Sequence, residues 1–237
     1  MKNRILPEKV RFLDGSALKV IAVITMLIDH IGVLLHPDHI LLFTVFGKKI
    51  TLYWLLRMIG RMAFPIFAFL IVEGYKHTHS RVRYGVSLLA FAALSEIPFD
   101  LFRRGSWFVI EKQNVFFTLL LGYLGICVYE KLKDRALLQA CAVAAFLLAA
   151  WILRADYGMG GFCVIMLMYA LRDHELLRDV IGVAALSSGW KSALAFVPLA
   201  FYNEKRGFIK GPVLKYAFYL FYPLHLLVLY YIKIRFL

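Results

Sequence analysis

The chain has 237 residues, 62% of them apolar and only 18% charged, with a mean hydropathy of +0.72. Soluble domains run about 45–50% apolar and about 25% charged, so this composition excludes a globular domain on one anchor and implies a polytopic membrane protein. The formal charge of +13 does not point to nucleic acid, because Lys and Arg fill short gaps between apolar runs and form no basic arm or stripe.

Residues 1–15 are polar and basic and read as an amphipathic lead-in at a membrane surface. The first apolar segment, about 16–36, starts at Asp14-Gly15-Ser16 and stops before Pro37. No small-residue cleavage site follows it, so it reads as an uncleaved first helix. A short loop carries Lys48 and Lys49. The second segment, about 51–75, holds Arg57, Arg61 and Glu73, with a kink expected at Pro65. The third, about 84–102, holds Glu96, Pro98 and Asp100. The fourth is about 114–130, the fifth about 136–153, and the sixth, about 157–171, is short and follows Asp156. Residues 176–202 fit either one span or two half-spans broken at Ser187-Ser188-Gly189-Trp190-Lys191. The last, about 213–232, contains Pro223 and His225.

No gap exceeds roughly fifteen residues, so 1–237 reads as a single integral-membrane domain. The expected fold is all-α, a transmembrane helix bundle of about 8–9 spans. With nine segments and the N-terminus in the cytoplasm, 17 Lys and Arg fall inside and 9 outside, which favours that orientation. Cys127, Cys141 and Cys163 lie in three different apolar segments and show no metal spacing.

The chemistry begins with Asp29 and His30, an ionisable pair inside an apolar helix. A charge at that depth costs about 2.5–3.5 kcal/mol on insertion scales, so it needs a reason. Consecutive helical residues point about 100° apart, so Asp29 does not orient the His30 ring. It is better placed to meet Arg57 or Arg61, which share one helix face at i and i+4. Those two guanidinium groups can bind protein carboxylates or ligand phosphates. Glu96 and Asp100 share one face of the third segment, and mutual neutralisation of these four groups is the plainer reading. His30 and His225 are the groups inside spans that exchange a proton near neutral pH. His225 reads equally as a second site residue or as a partner at the Pro223 kink, and a bis-His haem is a weak third reading. Asn114 and Asp156-Tyr157-Gly158 start helices, where an anion can bind or where they simply cap and pack.

The runs LKVIAVITMLIDHIG (18–32), GRMAFPIFAFLIVEGY (60–75), SEIPFDL (95–101), NVFFTLLLG (114–122), ADYG (155–158), YNEKRG (202–207) and FYLFYPLHLLVLY (218–230) together resemble the TraX family. That family is named for a conjugative-pilin N-acetylase and sits in a wider group of multi-spanning acyltransferases. One departure is Glu204, where a glycine is expected. The resemblance implies that His30 occupies the reaction centre and that Arg61 lies near the acyl donor. Glu73, Glu96, Asp100, Asn114, Asp156 and His225 match family-typical positions without assigned roles.

The resulting expectation is an acetyltransferase of the bacterial cytoplasmic (inner) membrane. It would use acetyl-CoA, need no metal, and act on an envelope protein or glycan. Asp29 and His30 would be catalytic, and Arg57, Arg61 and Asn114 would bind the donor in a pocket spanning the bilayer. Lipid and acyl-CoA are the expected partners, nucleic acid is not, and a homo-oligomer stays open. The rivals are an ion-coupled transporter or flippase using Asp29, Glu73, Glu96 and Asp100 as a relay, and a membrane assembly factor.

Overall fold

A computed structural model describes residues 3–45, 47–186 and 189–237. The helices are α1 (Gly15–Leu35), α2 (Leu52–Gly60), α3 (Ala63–His77), α4 (Arg81–Arg104), α5 (Val115–Lys131), α6 (Ala136–Ile152), α7 (Gly158–Ala170), α8 (Glu175–Ala185), α9 (Phe196–Ala200) and α10 (Gly211–Phe236). Short 3-10 turns cover Glu8–Val10 and Gly189–Ala195. The apolar segments expected from the sequence are helical, except that 176–202 is divided among α8, a 3-10 turn and α9 in the described residues. Four stretches, rather than eight or nine, have the length and hydropathy of a full span: α1, α2 with α3, α4 and α10.

The helix ends follow from local chemistry. Asp14 caps α1, its Oδ1 accepting from the N–H groups of Ser16 (2.9 Å) and Ala17 (2.8 Å). His36 closes α1 in the left-handed region just before Pro37. Asn114 caps α5 through the Phe116 N–H at 3.0 Å. The kink expected at Pro65 lies instead at Arg61-Met62, between α2 and α3. The reason is that proline removes the hydrogen bond to the carbonyl four residues earlier, and for Pro65 that carbonyl belongs to Arg61.

The loop at 37–51 is not plain loop. Leu41–Val45 (β1) pairs antiparallel with Lys48–Thr51 (β2) in a small ribbon, and Gly47 turns it at φ 75°. The β-branched and aromatic run Leu41-Leu42-Phe43-Thr44-Val45 carried that signal.

The bundle has two rims. At the first, Gly15 donates to the Lys205 carbonyl at 2.8 Å and Asn203 to the Leu13 carbonyl at 2.8 Å. The YNEKRG turn thus seats the start of α1. Glu204 adopts φ 62°, the left-handed backbone that explains a glycine preference at this position. The second rim holds the end of α1, the ribbon, the end of α4, the starts of α5 and α7 and the end of α10. There Gln113 donates to the Arg154 carbonyl at 3.0 Å.

Residues 3–13 form no amphipathic helix on a membrane surface. They run across the first rim as a clasp. Buried Arg11 donates to Glu175 Oε1 at 2.9 Å and to the Tyr202 carbonyl at 3.1 Å. One side chain therefore holds the start of α8 and the residue just beyond α9. Segment 175–202 leaves and returns at the same rim, which selects the two-half-span form. Ser187 and Ser188 of the expected break lie outside the described residues.

Burial works against charge on Glu175, but Arg11, the Ile5 N–H and the nearby Arg178 hold its carboxyl below the usual range. A folded pKa below the unfolded one gives stability that is complete above the unfolded value, about 4.3. That stability disappears as pH falls through the lower folded value. Glu175→Gln should cost about 3 kcal/mol by stranding buried Arg11. Melting in detergent should show this loss at pH 7, with the gap to wild type closing in acid.

Candidate functional site

The site is built on the second half of α1. Asp29 and His30 diverge as the helical turn requires. Asp29 faces α2, where Arg57 Nη1 donates to Asp29 Oδ2 at 2.5 Å. Gly60 makes this approach possible, because a Cβ there would overlap the Asp29 carboxylate. The other oxygen, Asp29 Oδ1, is buried with no hydrogen-bond partner among the described residues.

His30 faces α10. Its Nδ1 lies 2.7 Å from Nε2 of His225, whose own Nδ1 donates to the Phe221 carbonyl at 2.8 Å. The 2.7 Å contact rules out the bis-His haem reading, since an iron between two ring nitrogens needs about 4 Å, two bonds of ~2 Å. His225 reaches the Phe221 carbonyl and not that of Tyr219, the one freed by Pro223. Phe102 meets the His30 ring edge-on, with centroids 5.5 Å apart.

His30 lines a cavity of about 590 Å³ that lies towards the second rim. It does not span the bundle. Met26 is the deepest lining residue of α1, and nearer the first rim Leu18 and Ala22 are fully buried. Phe64 and Tyr157 stack in the wall with centroids 3.7 Å apart.

The cavity wall is cationic. Arg57, Arg61, Arg103, Lys112 and Lys233 line it against Asp29 and Asp156. Arg57 is paired with Asp29. Asp156 takes Lys112 at 2.7 Å and Arg103 at 3.8 Å. Arg61 has no ion pair among the described residues, and Lys233 reaches only the Phe102 carbonyl at 3.4 Å. Such a wall attracts an anionic ligand, and phosphate groups suit forked guanidinium donors.

The structure therefore brings Asp29, His30, Arg57, Arg61 and Asp156 to one cavity, with His225 directly behind His30. The other candidates lie elsewhere. Glu96 accepts from the Asn114 side-chain amide, and Asn114 Nδ2 also donates to the Ala92 carbonyl at 2.8 Å. Asp100 accepts from the Val109 N–H at 2.7 Å. These groups pin the 105–114 loop between α4 and α5 and do not neutralise Arg57 or Arg61. Fully buried Asn114 does not line the cavity. Glu73 stands near the first rim, accepting from Tyr202 Oη at 2.9 Å. Sequence reasoning missed Arg103, Lys112 and Lys233, which it counted as loop and tail charge. Their one signal was location, three cations at segment ends that share the poorer-charged rim.

The TraX protein family matches residues 14–233. The chain belongs to the TraX family. A relative from Dichelobacter nodosus, named "Probable fimbrial assembly protein FimC, serogroup H1", is 28% identical over 249 residues, covering 92% of this chain and 96% of its own length. No solved structure matches. The motifs of this TraX protein divide by location. LIDHIG, GRMAFP and ADYG surround the cavity, SEIPFD adds Phe99 to its wall while Glu96 and Asp100 hold the 105–114 loop, and YNEKRG holds the first rim.

The fit at Gly60 is testable against a second glycine. Gly60→Ala forces a methyl into Asp29 and should destabilise by about 1–3 kcal/mol. Gly160→Ala meets no atom within 4 Å and should be neutral or stabilising by up to about 1 kcal/mol. Paired thermal melts of the two variants give the comparison.

Proposed function

We propose that this TraX protein is a membrane-embedded acyltransferase that moves an acyl group, acetyl above all, from acyl-CoA to an amine or hydroxyl of an envelope acceptor. The observation that carries the reading is one cavity in which a histidine shares space with a cationic wall. The relative's printed name favours a pilin-like protein acceptor over a glycan.

The residues fit a phosphate-bearing thioester, because Arg61 and Lys233 lack carboxylate partners among the described residues and Arg57, paired with Asp29, lines the same cavity. A thioester supplies an activated acyl carbon, so the protein must bind, orient and move protons. Arg57, Arg61 and Lys233 hold the anionic part. His30 Nε2 takes the proton that the acceptor loses as its bond to the acyl carbon forms. The same nitrogen returns a proton to the sulfur as the C–S bond breaks. Phe64, Tyr157, Phe102 and Tyr222 add an aromatic lining to the cavity. Asp29 neutralises Arg57 and does not touch the His30 ring.

The relay needed by an ion-coupled transporter has less support. Glu73 stands at the far rim, and Glu96 and Asp100 are committed to the 105–114 loop. Four full-length spans and the Lys/Arg excess at the first rim support a multi-pass protein of the bacterial cytoplasmic membrane with that rim inside. On that orientation the mouth opens towards the envelope, where the acceptor lies. A donor made in the cytoplasm then needs the packed seam around Leu18 and Ala22 to part. Detergent-solubilised protein wets both ends and separates the chemistry from this access step.

Purified protein with labelled acetyl-CoA and envelope fractions from cells lacking the chain should show acetyl transfer. His30→Ala should lower it by about 10²–10⁴-fold. Arg61→Gln should raise the donor KM by about 10-fold, the value of a lost charge-assisted hydrogen bond. Undiminished transfer by His30→Ala would remove the base, and acyl-CoA-independent substrate flux in proteoliposomes would favour a transporter.

A further inference from the structure

His225 is buried and does not line the cavity, so it meets the reactants only through His30. Its role can be read from the direction of two hydrogen bonds. A peptide carbonyl oxygen only accepts, so the 2.8 Å contact with Phe221 places a proton on His225 Nδ1. A neutral imidazole has one N–H, which leaves His225 Nε2 as an acceptor. Its partner at 2.7 Å is His30 Nδ1, so that nitrogen carries the His30 proton. The charged alternative is unfavourable on both rings. Two cationic imidazoles with centroids 4.9 Å apart would repel and would bring two N–H groups face to face, with Arg57 and Arg103 close by.

We propose that His225 is the positioning residue of the site, holding His30 as its Nδ1–H tautomer so that the Nε2 lone pair is kept for the cavity. This inference rests on the reading of His30 as the base, but its structural core, the tautomer, is measurable without any reaction. The chain of bonds also explains why a histidine suits position 225. Its ring accepts from His30 on one side and is locked by its own helix on the other, so the ring cannot turn to present Nδ1. When His30 takes a proton at Nε2, its Nδ1–H becomes a charge-assisted donor to His225, and the Phe221 carbonyl stabilises the far end of the chain. An imidazole with the proton on Nε2 would offer the cavity a donor and no base.

The test combines ring-nitrogen NMR with kinetics. In protein labelled with 15N-histidine, the His30 signals are identified as those lost in His30→Ala. They should show a protonated Nδ1 and an unprotonated Nε2. His225→Leu should lose that pattern and lower kcat by about 10–100-fold, with the donor KM within about twofold, as expected for a residue acting on the base and not on binding. His225→Gln has an amide oxygen that accepts from Nδ1–H, and should recover the pattern and most of the rate. The acid limb of the pH–rate profile should move in the Leu variant and return in the Gln variant. Should His225→Leu fail to fold, the wild-type spectrum and the Gln variant decide. A wild-type His30 protonated on Nε2, or a folded His225→Leu protein with unchanged tautomer and rate, overturns the proposal. An active His30→Ala protein whose wild-type spectrum still shows Nδ1–H sinks the base reading and leaves only the tautomer assignment standing.

Discussion

Successive residues of an α-helix are turned about 100° apart, and the site depends on that angle. Asp29 and His30 are neighbours in sequence, yet one reaches α2 and the other α10. The carboxylate meets Arg57 and the imidazole meets His225. Had both faced one neighbour, the acid would have paired with the ring and the arginine would have stayed uncompensated in an apolar bundle. Dividing them lets α1 serve as the seam between a charged wall and a pair of bonded imidazoles. The close approach at Gly60 sets the first contact, and the self-bonded His225 ring sets the second.

The two rims use polar groups differently. At the first rim, Arg11, Glu175, Glu73 and Tyr202 close on one another, and the backbone of 201–207 seats the start of α1. Nothing there lines the large cavity. At the second rim the same residue types are only partly matched. Asp156 is shared by two cations, while Arg61 and Lys233 have no carboxylate partner among the described residues. What distinguishes the second rim is that its cations face one cavity.

Much of this was legible in the sequence, for local reasons. The apolar segments have sharp ends because Asp14, Pro37 and Asn114 start or stop helices whatever packs around them. The pairing of Asp29 with an arginine of the next helix follows from spacing alone. What was not legible depends on which segment ends share a rim. Arg103, Lys112 and Lys233 converge only once α4, α5 and α10 are placed. Glu96 and Asp100 resembled counter-ions for arginine, yet the Val109 N–H bonds Asp100 and the Asn114 backbone and side-chain amides bond one oxygen of Glu96, nine and eighteen residues downstream. The ribbon at 41–51 was hidden by its brevity, and the α2–α3 break was displaced because proline acts on a carbonyl one turn before itself.

The cationic wall has a consequence for the order of events on the acyltransferase reading. On that reading, a proton arriving at His30 Nε2 creates a positive charge near Arg57 and Arg103. Like charges at such range repel. A ligand that brings phosphates to Arg61 and Lys233 offsets that repulsion before any proton moves. His225 adds a second contribution by accepting from the charged ring without carrying charge itself. Donor binding and base strength are thereby coupled through the field of the wall. On the acyltransferase reading, the acceptor would then meet the strongest base only with the acyl donor already in place.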